Sequence, residues 1–164
     1  KNKRTSLFVG VCRVVIFRFM HGVVFVILFS IPILVLGQSD TDLFGKSKAS
    51  VITIKNEEWA IKPCDNVERV VTYCVSNGAK IMFLFNNTSF TLTDIILVDP
   101  SISKSQAETD VSKLILDFKK KYGVEPSYYQ GTAYFSLPGV PYRTSFDTGF
   151  FENAHWVVEG YHSN

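Results

Sequence analysis

Hydrophobic and polar positions along the chain follow three rhythms. Residues 22–37 form an unbroken apolar run with no charge and one polar side chain, Ser30. Downstream, short runs of β-branched and aromatic residues alternate with Gly, Pro, Asn and Asp, the pattern of strands and turns. The third rhythm is helical. Ala107, Val111, Leu114, Ile115, Phe118 and Tyr122 fall on a single apolar stripe.

That stripe predicts a helix over about residues 105–122. Ser105 with Glu108 three residues later reads as a capping box. Lysines at 119–121 suit the negative end of the helix dipole, and Gly123 suits the left-handed cap. Strands are predicted at 51–54 and 59–61, around a turn at 55–58, and again at 67–75. Asn77-Gly78 is a strong hairpin signal leading into a strand at 79–85. Further strands are predicted over 90–98, ending at Asp99-Pro100, and over 132–137 and 155–161, with a Pro/Gly turn at 137–142. The implied fold is α+β: a mainly antiparallel sheet packed against one amphipathic helix. The alternative is a β-sandwich with a short extra helix. No internal repeat is visible in the sequence.

The apolar run sets the compartment. Lys1, Lys3, Arg4, Arg13 and Arg18 precede it, no acid occurs before Asp40, and Val35 and Gly37 stand where a signal peptidase requires small residues. Residues 1–37 are therefore read as a secretory leader. The first methionine is Met20, so a start there would make residues 1–19 an upstream extension. The competing reading is a signal anchor, with the rest of the chain as its ectodomain. A spanning helix needs about 20 apolar residues; reaching that length draws in Arg18, and Pro32 interrupts the run. Residues 38–50 are polar and aperiodic and read as a flexible mature N-terminus, followed by one extracellular domain over 51–164.

Removing the leader reverses the charge. The whole chain has 17 basic and 15 acidic residues; without the five basic residues of the leader, 12 remain against 15, a net of −3. A nucleic-acid partner needs a clustered basic face, and only residues 119–121 resemble one, so none is expected. Of three cysteines, Cys12 leaves with the leader. Cys64 and Cys74 are left as an even pair in an oxidising compartment, which predicts a disulfide. Residues 86–89 contain two overlapping glycosylation sequons, at Asn86 and Asn87, in a polar turn. One of the two is expected to carry a glycan.

No motif fixes a reaction. His155, Glu159 and His162 would share a helical face as a metal triad, but the intervening residues read as a strand, which turns His162 away from the other two. Ser136 or Ser145, His155 or His162, and Asp147 or Asp99 are the raw materials of a nucleophilic site without the Gly-x-Ser-x-Gly frame. Aromatics crowd the C-terminal third. Tyr128, Tyr129, Tyr142 and Trp156 are the ligand-binding candidates, and an apolar cavity between helix and sheet is a further one. The functional expectation is a secreted, N-glycosylated, non-enzymatic protein that binds a protein, glycan or lipid and carries no cofactor. A membrane contact is expected only if the leader is retained. The rival class is a secreted hydrolase or metal-dependent enzyme using His155, Glu159 or His162.

Overall fold

A computed structural model describes residues 40–75 and 77–164, together with the backbone of two short strands, β1 (Phe17–Arg18) and β2 (Val24–Phe25), which pair antiparallel. Apart from those four positions, the leader expected over 1–37 lies outside the described residues. Among the described residues no helix is long and apolar enough to cross a membrane.

From Asp40 onward the chain forms one eight-stranded antiparallel sheet and two α-helices. A 3-10 turn (Thr41–Leu43) leads to helix α1 (Lys48–Trp59) and strands β3 (Asp65–Val67), β4 (Val70–Cys74), β5 (Lys80–Phe85) and β6 (Leu92–Ser101). Helix α2 (Lys104–Tyr122) then leads to β7 (Ser127–Tyr129), β8 (Thr132–Ser136), β9 (Tyr142–Phe151) and β10 (Ala154–Ser163). Across the sheet the order is β3-β4-β5-β6-β10-β9-β8-β7. The chain thus builds a helix followed by a four-stranded meander, twice, and joins the two copies through β6 and β10. Strands β3 and β7 start at 65 and 127, β4 and β8 at 70 and 132, β5 and β9 at 80 and 142, β6 and β10 at 92 and 154. The interval is 62 residues each time (127 − 65), a repeat of architecture without a repeat of sequence.

Both helices lie on one face of the sheet. Leu97 on β6 stands opposite Glu159 on β10, which stands opposite Phe146 on β9, so all three share that face. Val51 of α1 is buried with Tyr73, Ile81, Phe83, Ile95 and Leu97. Val111 and Phe118 of α2 are buried with Ala133, Phe135 and Phe146. The two outermost strands have only three residues each, which leaves little unpaired sheet edge.

Several expectations are corrected. The predicted strands at 51–54 and 59–61 are one helix, α1, capped by Ser47, whose hydroxyl accepts from the Ser50 N–H. Its inward stripe is Val51, Lys55 and Trp59, and the charge in the middle hides the helical period. Lys55 is buried because its ammonium pairs with the buried Asp40 carboxylate and with Glu58 at 2.6 Å, and lies 4.7 Å from the Trp59 ring centroid. There are accordingly two helices on the sheet rather than one, and strands β3 to β10 form a single sheet rather than a sandwich. Residues 40–50, read as flexible, carry the buried Asp40 and Leu43 and the first turn of α1. The strand at 67–75 is divided by a turn at Glu68-Arg69. The N-cap of helix α2 lies two residues earlier than read: Ser103, not Ser105, caps it and accepts from Gln106 N–H at 3.2 Å. Gly123 is the left-handed C-cap, at φ 66°. The Cys64–Cys74 disulfide is formed, with Cα atoms 5.8 Å apart.

Candidate functional site

The face of the sheet opposite the helices holds the chemistry. Cross-strand register lays its side chains out in rows. One row runs Val70, Leu84, Asp94, His162, Arg143, Ser136 across β4, β5, β6, β10, β9 and β8. The next runs Thr72, Met82, Ile96, Gly160, Ser145, Tyr134. Each row therefore begins with mostly apolar side chains on the first meander and becomes polar at the seam.

At that seam three side chains form a continuous hydrogen-bonded line. Ser145 Oγ lies 2.8 Å from His162 Nε2, and His162 Nδ1 lies 2.7 Å from Asp94 Oδ1. Burial pushes the Asp94 carboxyl up, but hydrogen bonds from His162 and Thr93 and the nearby charges of His162 and Arg143 outweigh it and hold the group below the usual carboxylate range. An ionised carboxylate only accepts. Nδ1 therefore carries a proton and donates to Asp94, and in the neutral tautomer that this bond selects, Nε2 is left as an acceptor for the Ser145 hydroxyl. Ser145 is 6 % exposed, while His162 and Asp94 are half-buried.

Gly160 makes this possible. It stands directly opposite Ser145, and a Cβ there would lie 2.5 Å from Ser145 Oγ and 2.7 Å from His162 Nε2. Only a residue without a side chain lets the imidazole lean across the strand to the serine. Beside the line, the Tyr134 ring centroid is 6.0 Å from that of His162, and the Arg143 guanidinium stands 5.6 Å from the Tyr134 ring. On the Asp94 side a groove of about 630 Å³ opens, lined by Arg69, Val70, Leu84, Phe85, Asp94 and the turn at 86–88. Asn86 Oδ1 accepts from the Thr88 and Ser89 N–H groups at 2.8 and 3.1 Å and so shapes that turn. Asn87 is exposed at its tip.

The arrangement has the parts of a nucleophile, a base and an orienting carboxylate. Sequence reading named Ser145 and His162 among its raw materials but paired them with Asp147 or Asp99. Asp147 instead accepts from Thr132 Oγ1 at 2.5 Å, and Asp99 lies on the helix face, its pKa raised by burial against an Asn77 hydrogen bond. Ser136 and His155 are not part of the line.

The remaining candidates do not converge. His155, Glu159 and His162 sit on strand β10, and among the described residues no three His, Cys, Asp or Glu side chains are grouped to hold a metal. Glu159 is 5 % exposed beneath the helices, where the Tyr161 hydroxyl donates to it. Burial is the main reason its pKa rises to about 7; the Tyr161 bond opposes that rise and the Asp99 charge adds to it. Trp156 is 4 % exposed and stacked on Phe151, with centroids 4.8 Å apart; its indole N–H donates to the Phe151 carbonyl, so the ring is committed to the fold. Tyr142 lines a cavity of about 100 Å³ between α2 and the sheet with Leu114, Phe118 and Tyr161, a space far below that of a small-molecule site. Tyr128 and Tyr129, 65 % and 66 % exposed, lie on the outermost strand β7. Compared with known proteins, the chain matches no family model, no curated protein and no solved structure.

Proposed function

We propose that the chain is exported and that its mature part is an extracellular, N-glycosylated protein that binds an amphiphilic, lipid-like ligand on the sheet face opposite the helices. The carrying observation is the lining of the groove. Val70 and Leu84 supply an apolar floor, Arg69 a cation and Asp94 a polar end, with Asn86, Asn87, Thr88 and Thr93 around them; His162 stands next to Asp94 on the same row. Such a lining fits an acyl chain with a carbonyl head group, because the chain gains from apolar burial and the head needs polar partners. Export is supported by the leader composition and by the Cys64–Cys74 bond, a linkage that persists in oxidising compartments.

Two measurements test the reading. Mass spectrometry of the chain expressed in a secretory host is expected to find residues 1–37 removed, the disulfide closed and one glycan attached. Two free thiols on a glycan-free chain overturn export; a retained leader on a chain with its disulfide closed replaces secretion by a signal anchor. Titration with a fluorescent fatty acid is expected to saturate, and Leu84→Asp to weaken binding at least tenfold by placing an uncompensated charge on the apolar floor. An unaltered affinity in that variant removes the groove from the proposal, and saturation only by a glycan or a protein replaces the ligand class.

A further inference from the structure

We propose that Ser145, His162 and Asp94 form a nucleophilic catalytic site that hydrolyses carboxylic esters at the β6–β10–β9 seam. The inference shares its face with the binding reading and is independent of it, since a short ester needs no groove.

Two observations carry it. Ser145 Oγ, His162 Nε2, His162 Nδ1 and Asp94 Oδ1 lie in sequence at 2.8 and 2.7 Å, the contacts needed to pass a proton from hydroxyl to imidazole while a carboxylate fixes the tautomer. Gly160 leaves the space that the imidazole occupies.

The step is an acyl transfer. Ser145 Oγ attacks the ester carbonyl carbon as its proton moves to His162 Nε2, and the carbonyl becomes a tetrahedral oxyanion. Collapse breaks the bond to the alkoxy oxygen, which leaves as the alcohol with the proton from the imidazolium. A water molecule then attacks the acyl-serine, giving its proton to Nε2. The second collapse releases the carboxylic acid and returns the hydroxyl to Ser145. Ser145 lies between two paired strands rather than at a turn, so its backbone is drawn into the ladder. Stabilisation of the oxyanion therefore falls to a side chain, and Arg143, two residues earlier on the same face, is the cation placed for it.

The test uses the full chain secreted with its disulfide closed. A fluorophosphonate probe is expected to label one serine, and peptide mapping to place the label on Ser145. Hydrolysis of 4-nitrophenyl acetate is expected to fall about ten-thousandfold in Asp94→Asn and further still, by up to about a millionfold, in Ser145→Ala and His162→Gln, as for a serine-protease triad. Arg143→Met is expected to lower kcat about a hundredfold with little change in KM. Absence of label on Ser145 in protein with a native near-ultraviolet dichroism spectrum overturns the proposal, and so does hydrolysis that survives Ser145→Ala. Should Ser145→Ala fail to fold, labelling of the unaltered chain still decides. Label on Ser145 without fatty-acid binding retains catalysis and removes the amphiphile; binding without label does the reverse.

Discussion

Glu159→Gln should make the protein more stable at neutral pH, although it replaces a buried hydrogen-bonded residue in the central strand. Glu159 lies 5 % exposed under the helices, near Asp99, and burial raises its pKa from 4.5 to about 7. A carboxyl whose pKa is raised on folding binds more protons in the native state between those two values, so the stability it allows is fullest below about pH 4.5 and declines up to about pH 7. The difference of 2.5 units (7 − 4.5) at about 1.36 kcal/mol per unit gives a cost of roughly 3 kcal/mol above pH 7. Glutamine keeps an oxygen to accept from the Tyr161 hydroxyl and adds an N–H₂ that can face Asp99, without a charge to bury. In a domain of this size the gain corresponds to about 10 °C in Tm. Asp94 has the opposite pH dependence, its stabilisation fading as pH falls through the acid range, but it is common to both proteins and cancels in the difference. Urea unfolding of both proteins at pH 4.5 and pH 8 is the assay. The variant should match the parent at the lower pH and exceed it at the higher. An equal effect at both pH values, or a loss at pH 8, refutes the reasoning.

Three further outcomes follow from single contacts. Gly160→Ala should fold with a loss of about 1–3 kcal/mol from overpacking and abolish fluorophosphonate labelling of Ser145, because the new methyl would occupy the space between Ser145 Oγ and His162 Nε2; thermal melts and probe labelling read the two effects. Asn87→Gln should remove the glycan and Asn86→Gln should leave it, since the Asn86 side chain is tied to the turn while Asn87 projects from it; the intact mass of each secreted variant decides. Cys64→Ser with Cys74→Ser should lower stability by about 2–3 kcal/mol, the entropy of closing so short a loop, as read by the urea midpoint.

How legible these features are in the sequence depends on whether their cause is local. Helix α2 is readable because its apolar stripe, lysine-rich last turn and Gly123 agree. Even so, two overlapping capping signals, Ser103 with Gln106 and Ser105 with Glu108, leave its start ambiguous, and the structure uses the first. Helix α1 is not readable. Residues 51–54 are β-branched, which favours strands, and the inward stripe passes through Lys55, a charge that is buried only because Asp40 lies 15 residues earlier. The disulfide follows from counting cysteines and compartment. The polar line does not. His162 and Asp94 are 68 residues apart, and they meet because β10 closes on β6, a pairing between two meanders that no turn signal announces. Naming Ser145 and His162 required only residue types; choosing Asp94 over Asp147 or Asp99 required the register.

The repeated architecture also separates a functional from a structural account of that line. Shifting by the 62-residue interval relates Asp94 to Trp156 and His162 to Pro100. Pro100 and Trp156 are themselves cross-strand partners on the same seam. One scaffold thus offers two equivalent cross-strand positions. At one, the fold is satisfied by Pro100 beside Trp156 stacked on Phe151; at the other stand Asp94 and His162, joined to Ser145. The seam therefore does not require a polar pair, and a half-buried charge pair contributes little net stability over an apolar one. Asp94→Val with His162→Val should give a protein whose urea midpoint corresponds to within about 1 kcal/mol of the parent, the scale of a cross-strand pair, and whose Ser145 no longer reacts with a fluorophosphonate. A double variant that unfolds would mean that the line holds the two halves together, and the chemistry assigned to it would lose its rationale.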